Sequence, residues 1–333
     1  MNKSQVNKVS PYRGRFSGGY LKPAFISAGW GILVASFIPF FGEYSRWLDH
    51  FSAFRFQYLW LSGLLLVYFI VKKQRVGVAV SAVSLLLNTW YVVPWLDASQ
   101  TGNHTKANFR IFHANVLFKN LDYGPVTAQI RQENPDFISI NEATLPFIRH
   151  FRKAFAKEYP FSVYVDAKNK TKVLVAGRYP FALDSTATFS GKGVVKFKVF
   201  LKVKPLVVIA CHAYNPLVLS DFNMRNEQLK KIAQWVRQET DPVVVAGDLN
   251  ITPWSVFYDR FIRESGLQNC RKGFGLQPTW PAWVFPLMIP IDHCLVSRQL
   301  ETVAFRLGKP TKSDHLPVII DLRFTASSAL SER

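Results

Sequence analysis

The sequence predicts an α/β domain preceded by three membrane-spanning helices. Residues 24–96 hold three long apolar stretches with few charges, whereas residues 97–333 alternate short strand-like runs with amphipathic helical segments. At 333 residues the chain exceeds one average domain, which fits two units. Its three cysteines, Cys211, Cys270 and Cys294, form neither a disulfide framework nor a metal-type spacing. A Cys270–Cys294 bridge stays open, with nothing in the sequence to argue for it.

The apolar stretches run from Ala24 to Phe41, Ala53 to Val71 and Val76 to Leu96. Each supplies roughly the 17–21 residues that a helix needs to cross ~30 Å of hydrocarbon. Trp47, Tyr58, Trp60, Trp90, Tyr91 and Trp95 gather near their ends, where amphipathic rings prefer to sit. Pro39 and Pro94 lie close to helix ends, where a missing backbone donor does little damage. Asn88, inside the third stretch, is expected to bond a neighbouring helix. The rival readings are a cleavable signal peptide and a set of buried soluble helices. Against the first, Phe37 to Ser45 offers no small-x-small cleavage site and two more spans follow.

Lysine and arginine set the expected orientation. The leading tail carries Lys3, Lys8, Arg13, Arg15 and Lys22 without an acid, the loop from Glu43 to Arg55 is balanced, and Lys72-Lys73-Gln74-Arg75 is basic. The positive-inside rule places the tail and the basic loop in the cytoplasm, and three spans then deliver residue 97 to the far side. The formal net charge of +19 is spread over both parts and suits a polyanionic partner: nucleic acid, anionic lipid headgroups or a phosphorylated sugar. A solvated basic surface without a specific ligand is the plain alternative.

Beyond a short polar linker (97–107), strands are expected over Phe109–Leu117, Asp136–Asn141, Phe161–Val165, Val173–Gly177, Val194–Val203, Leu206–Cys211, Val243–Ala246, Ile291–Val296, Thr302–Arg306 and Pro317–Leu322. Pro125–Glu133 reads as a helix with proline in its first turn. Leu145–Lys157 is helical because Phe147, Phe151 and Phe155 recur on one face. Asp221–Gln238 is amphipathic, and Ser255–Ser265 opens on a capping serine. The run from Val195 to Lys204 alternates apolar side chains with four lysines, as a half-buried strand does. Its lysine face either meets water or offers a strip to a polyanion.

Polar residues end several of these apolar runs. Asp248 and Asn250 follow Val243-Val-Val-Ala-Gly, Glu142 closes Phe-Ile-Ser-Ile-Asn, and Asn115 interrupts Ile-Phe-His-Ala-Asn-Val-Leu. His212 ends Val-Val-Ile-Ala-Cys, while Asp292-His293 and Ser313-Asp314-His315 flank strand starts. Taken singly, each has a modest structural account: a turn, a cap or a satisfied buried amide. Taken together and in order, they resemble the endonuclease/exonuclease/phosphatase superfamily. The motifs are Asn115, Asn141-Glu142, H-A-Y-N-P (His212 to Pro216), G-D-L-N, I-D-H and S-D-H-L-P, over about 108–323. Within the family the chain is similar to bacterial membrane-anchored members.

That resemblance implies a four-layer α/β sandwich, two mixed β-sheets flanked by helices. With the hydropathy and charge pattern, the expected division of the chain is a basic cytoplasmic tail (1–23), a three-helix membrane region (24–96), a linker (97–107), a catalytic domain (108–323) and a polar tail (324–333). The resemblance also implies Glu142 as a ligand of Mg²⁺ or Mn²⁺ with Asn115 and Asp314 nearby, since hard oxygen donors suit such ions. Asp248 is implied as the base for the attacking water and Asn250 as its orienter or a phosphate contact. His315, aligned by Asp292, is implied to stabilise charge on phosphorus, with His212 also at the phosphate. Asn215 and Trp280 are candidate substrate contacts. Three positions depart from the pattern: Asn141 where glutamine is common, Cys211 where threonine is frequent, and Gly177 where serine is usual.

In the segment from Pro278 to Ile289, Trp280 is placed to stack on a base, and Trp283, Phe285, Leu287 and Met288 to touch lipid. Packing beneath a loop is the favoured fate for such large apolar groups. The expected protein is a metal-dependent phosphodiesterase in a bacterial plasma membrane, its site periplasmic or extracellular. A nuclease acting on DNA or RNA comes first, favoured by the basic charge. A lipid phosphodiesterase is second, favoured by the anchor and the apolar segment. A phosphomonoesterase and a non-catalytic scaffold complete the alternatives, and the sequence carries no signal for oligomeric state.

Overall fold

The computed structural model describes residues 21–101, 107–184 and 193–325. The basic residues Lys3, Lys8, Arg13 and Arg15, the centre of the linker and residues 326–333 lie outside them, as does the expected orientation so far as it rests on that tail.

Three helical runs, Pro23–Tyr44, Arg46–Val71 and Arg75–Trp95, are long and apolar enough to cross a membrane. They are built from helix α1 (Leu21–Phe37) with a 3₁₀ extension to Tyr44, α2 (Arg46–His50) with a 3₁₀ turn over Phe51–Phe54, α3 (Arg55–Val71), and α4 (Arg75–Val92) with a final turn at Val93–Trp95. The stretch from Glu43 to Arg55, expected as a loop, is largely helical. Ser45 restarts the helix there, its hydroxyl accepting from the amide of Trp47 at 3.3 Å. Asn88 does bond a neighbour: its amide donates to the Ser36 hydroxyl at 2.8 Å. Ser62 and Ser84 extend the same polar seam at 2.9 Å, linking all three apolar runs. Gly77 lets α4 approach α3, because a Cβ there would lie 2.4 Å from the Phe69 ring. Trp30, Leu64, Ile70 and Leu86 face outward, the reverse of a soluble bundle.

The remaining chain folds into two six-stranded mixed sheets. The first contains β1 (Phe109–Asn115), β2 (Phe137–Ala143), β3 (Phe161–Asp166), β4 (Lys172–Gly177), β11 (Leu300–Leu307) and β12 (Val318–Phe324), in the order β11-β12-β1-β2-β4-β3. The second contains β5 (Phe181–Leu183), β6 (Val194–Phe200), β7 (Pro205–His212), β8 (Val243–Asp248), β9 (Gln268–Asn269) and β10 (Asp292–Val296), in the order β5-β6-β7-β8-β10-β9. Between the sheets lies one apolar layer that includes Phe109, Phe137, Phe197, Val208 and Val244. Helices α5 (Gly124–Glu133) and α6 (Leu145–Phe155) cover the outer face of the first sheet, and α7 (Leu219–Gln238) and α8 (Val256–Ser265) that of the second. Helices, sheet, sheet and helices make the four layers.

Local chemistry fixes these helices. Thr144 caps α6 by accepting from Phe147, and Phe147, Phe151 and Phe155 are all buried. Such a cap contributes about 1 kcal/mol, and burying each phenylalanine ~1.5–3 kcal/mol. Ser255 caps α8, which stops at Gly266 in the left-handed conformation.

Some expectations need correction. Strand β6 ends at Phe200 instead of Val203, because residues 201–204 turn the chain into Pro205. The lysine strip is partly neutralised within the chain: Lys196 pairs with Asp184 at 2.8 Å and with Glu239, and Lys198 pairs with Asp241 at 2.6 Å. Strands β5 and β9 were not expected; three and two residues are too short to show alternation. All three cysteines are free thiols, so Cys270 and Cys294 do not form a bridge.

Two parallel pairs gather polar residues at one end of the sheets. Strands β1 and β2 run parallel with Asn115 opposite Asn141, and β7 and β8 run parallel with His212 opposite Asp248. Antiparallel β10 begins at the same level, with Asp292 opposite Asp248. One edge of the sandwich thus collects the polar strand ends from both sheets.

Candidate active site

Each sheet contributes one half of this edge. In the first, the pairing of β2 with β4 slips between Ile140 and Ala143, and Glu142 sits in the slip with φ +56°. A bulge with a left-handed residue re-aims a side chain that regular pleating would send into a layer. Glu142 thereby turns toward Asn115, whose amide donates to Glu142 Oε1 at 3.1 Å, while the Phe118 amide donates to Oε2 at 3.0 Å. The same Asn115 amide spans the gap between sheets and reaches Asp248 Oδ2 at 3.4 Å.

In the second sheet, Gly247 precedes Asp248 with φ +153°, and a Cβ there would sit 1.7 Å from the Cys211 carbonyl. Only glycine allows β8 this close to β7. Asn250, at φ +50°, turns back so that its backbone amide donates to Asp248 Oδ1 at 2.9 Å and its side-chain amide donates to the Ala213 carbonyl at 2.9 Å. Asp292 has both oxygens committed: Oδ1 to His113 Nε2 at 3.1 Å and Oδ2 to His315 Nδ1 at 2.8 Å. The other ring nitrogen of His315 points at Asp248 Oδ2, 3.8 Å away. His212 Nε2 lies 3.9 Å from Glu142 Oε1.

Burial and charge drive these groups apart in acidity. Burial and the neighbouring Asp292 charge raise Asp248 to about 7. Burial works against a charge on His315, but the carboxylates of Asp292 and Asp248 outweigh it and push the imidazole up to about 10. Burial and the nearby His315 charge lower His212 to about 4, against the pull of Glu142. Burial opposes ionisation of Asp292, yet His315 and His113 hold it well below the usual carboxylate range. The result at neutral pH is an imidazolium held by one permanently ionised carboxylate beside a second carboxylate poised near neutrality.

The site residues expected from sequence therefore converge. Glu142, His212, Asp248, Asn250, Asp314 and His315 line one pocket of about 350 Å³, with Asn115 and Asp292 directly behind. Trp280 lines it too and donates its indole N–H to Asp314 Oδ2 at 3.0 Å, so its polar end is spent on an acid of the site. Asn215 sits on the rim, exposed, its Oδ1 accepting from the Leu217 amide at 3.1 Å. Asn141 donates to the Cys211 carbonyl at 2.8 Å, an inter-sheet tie that leaves its own Oδ1 without a partner among the described residues. His293 points away from the pocket; its Nε2 meets the Ile251 carbonyl at 2.8 Å.

Hard divalent cations fit the Glu142 side. Both Glu142 oxygens accept one hydrogen bond each and retain further lone pairs, and Asp248 brings more oxygen to the same edge; Asn115 turns its amide N–H toward both carboxylates, while its Oδ1 accepts from the Leu117 amide at 3.1 Å. Asp248, Asp292 and His315 also present ligand atoms within 4.8 Å of one another. That trio makes a poorer cage, since His315, held as an imidazolium between Asp292 and Asp248, repels a cation.

Some contributors are not legible in the sequence. His113 carries no motif signal, although it stands two residues before Asn115 on β1 and so shares its face. Arg271 is fully buried and donates to the Asp292 carbonyl at 2.8 Å. Asp49, His50, Ser52 and Ala53 line the pocket from the segment between the first two apolar runs. One clue existed for Asp49: it and Glu43 are the only acids in residues 1–96.

Comparison with known proteins agrees with this fold. The model described as "Endonuclease/Exonuclease/phosphatase family" matches residues 112–315. Among solved structures, an endonuclease/exonuclease/phosphatase from Bacteroides vulgatus is similar at 17% identity and a TM-score of 0.53, covering 66% of this chain and 100% of that one. A second, from Beutenbergia cavernae DSM 12333, is similar at 19% identity and a TM-score of 0.51, covering 66% and 72%. D. rerio TDP2 complexed with a single-strand DNA product is similar at 14% identity and a TM-score of 0.51, covering 65% and 98%. Curated proteins give no match.

Proposed function

Because the chain belongs to the endonuclease/exonuclease/phosphatase family of phosphoester hydrolases, we propose that it is a membrane-anchored, divalent-metal-dependent phosphodiesterase with its active site outside the cytoplasm. One observation carries the chemistry: Asp248, at about 7, faces an Asp292-held His315 imidazolium across 3.8 Å, with Glu142 joined to Asp248 through Asn115. Asp248 accepts the proton of the attacking water once ionised, and the backbone amide of Asn250 holds its carboxylate in place. His315 offers an N–H to a phosphoryl oxygen as charge develops there, and Asp292 keeps that ring charged and oriented. His212, neutral at physiological pH, donates a second hydrogen bond to the phosphate. Glu142, Asn115 and Asp314 would hold Mg²⁺ or Mn²⁺, which supplies further neutralisation of the phosphoryl oxygens when bound.

The anchor reading rests on the three long apolar runs, and the orientation on the lysine and arginine pattern. A nucleic-acid substrate is favoured by the net charge of +19 and by the DNA product held in the TDP2 neighbour. A lipid phosphodiester is favoured by a separate observation, the pocket wall contributed by residues 49–53.

The full-length protein in vesicles or detergent, supplied with Mg²⁺, should hydrolyse bis(4-nitrophenyl) phosphate. EDTA should abolish the activity and added Mg²⁺ restore it, while Asp248→Ala should lower kcat by about 10²–10⁴-fold. Activity that survives both treatments would sink the proposal. A periplasm-dependent reporter fused after residue 97 tests the orientation, and a reporter active only in the cytoplasm would reverse it.

A further inference from the structure

The pocket is not closed by the two-sheet domain alone. Part of its wall is the segment between the first two apolar runs, where Asp49, His50, Ser52 and Ala53 line the same cavity as Asn250, Trp280 and His315. That wall is built in. Asp49 is buried, its Oδ1 accepting from the Ser255 hydroxyl at 2.6 Å and its Oδ2 from Arg225 Nη2 at 3.3 Å. Arg225, itself buried, spends Nη1 on the carbonyl of Asn250 at 2.9 Å. The segment is thus two hydrogen bonds away from a residue of the catalytic edge.

The opposite lip is tied to the same helices. Gln57 of α3 donates its amide to the carbonyls of Pro286 and Met288 at 3.0 and 3.2 Å. Those bonds hold the loop that carries Trp280. The loop also turns its apolar side chains outward: Trp283, Phe285 and Leu287 are 66, 79 and 50% exposed, and only Met288 is buried. Packing beneath the loop, the fate favoured from sequence, is therefore wrong for three of the four. Leu217, Val218 and Leu219 form a second exposed apolar group, of which Leu217 lines the pocket. Trp47, Phe51 and Phe54, on the interhelical segment itself, are exposed as well. Exposed apolar groups of this size beside a cavity mark an interaction surface.

Resting on the phosphodiesterase reading, we propose that residues 45–54 form a substrate-selecting wall, and that the substrate is a phospholipid-type phosphodiester drawn from the same bilayer. If the runs ending at Tyr44 and beginning at Arg46 cross the membrane, this wall lies where they leave the hydrocarbon, whichever side that is. A phosphate resting between Glu142 and His315 then has its headgroup against His50, Ser52 and Ala53. Its acyl chains lie along the exposed apolar side chains of Leu217–Leu219 and of Trp283, Phe285 and Leu287, on a loop that Gln57 ties to α3. A soluble polyanion gains nothing from those side chains, and two of the lysines that would have drawn it are ion-paired elsewhere.

The test uses the full chain reconstituted in phosphatidylcholine/phosphatidylglycerol vesicles carrying a headgroup-labelled phospholipid, with bis(4-nitrophenyl) phosphate and single-stranded DNA and RNA oligonucleotides assayed in parallel. The wild type should release the lipid headgroup. The ratio of lipid to bis(4-nitrophenyl) phosphate hydrolysis should fall at least tenfold in Trp283→Ser/Phe285→Ser. It should fall similarly in Ala53→Phe, which narrows the pocket from the segment side. The double variant alters exposed positions, so it reports even if Ala53→Phe fails to fold. Cleavage of the soluble ester or an oligonucleotide without the lipid overturns this inference and leaves the hydrolase reading standing. An unchanged ratio in the double variant overturns it too. If the wild type cleaves none of the four substrates with Mg²⁺, both readings fall.

Discussion

At the scale of single residues, two carboxylates of one type have been given opposite tasks by their surroundings. Asp292 is matched by two histidines and stays ionised, whereas Asp248 faces burial and a like charge and rises to about 7. Protonated Asp248 cannot accept the water proton, so kcat/KM should climb as pH rises through about 7. His315 is raised to about 10, so the imidazolium is lost and the rate should fall as pH passes that value. Asp292→Asn removes the charge that holds His315 up, and should move the alkaline limb to lower pH while leaving the acidic limb in place or lower. A pH–rate profile of the variant with an unmoved alkaline limb would contradict the assignment. Asp248 and His315 were legible in the sequence because each ends or flanks an apolar run in a recurring motif. His113 was not, because a histidine inside such a run looks like packing until Asp292 arrives from 179 positions away.

The element that most changes the reading is the interhelical segment. Sequence marks Glu43–Arg55 as a balanced loop; the fold makes it α2 and two flanking 3₁₀ turns, with Asp49 buried against α7 and α8. Arg225 is lowered to about 10 by its burial, against the pull of Asp49, the partner that makes its charge tolerable. Asp49→Ala should therefore destabilise the protein by about 3–5 kcal/mol, since it strands a buried guanidinium. Asp49→Leu combined with Arg225→Met should cost less than Asp49→Ala alone. Thermal unfolding in detergent measures both, and a neutral Asp49→Ala would show that the contact holds nothing. Elsewhere the elements were readable: α6 from its phenylalanine spacing, α8 from its serine cap, β7 and β8 from their valine runs. Residues 201–204 misled because lysine–apolar alternation continues into the turn that joins β6 to β7.

For the molecule as a whole, the apolar helices and the two-sheet domain share a core. Val92 and Trp95 belong to the same buried cluster as Trp235 and Tyr258, and the Trp254 indole donates to the Tyr91 carbonyl at 3.2 Å. A chain beginning at residue 97 loses these contacts along with the part of the pocket wall built by Asp49, His50, Ser52 and Ala53. It should melt at a lower temperature than the full protein and hydrolyse bis(4-nitrophenyl) phosphate more slowly; equal stability and rate would mean the helices serve only as a tether. The sequence by itself determined the apolar runs, the α/β alternation and most of the acid, amide and imidazole groups, because hydropathy period and residue chemistry are local properties. Which strand ends meet, how far Asp248 and His315 are driven apart in acidity, and that a segment between two apolar helices lines the pocket were decided only by tertiary structure. Register, burial and like-charge proximity arise between residues far apart in the chain, and no window of sequence contains both partners.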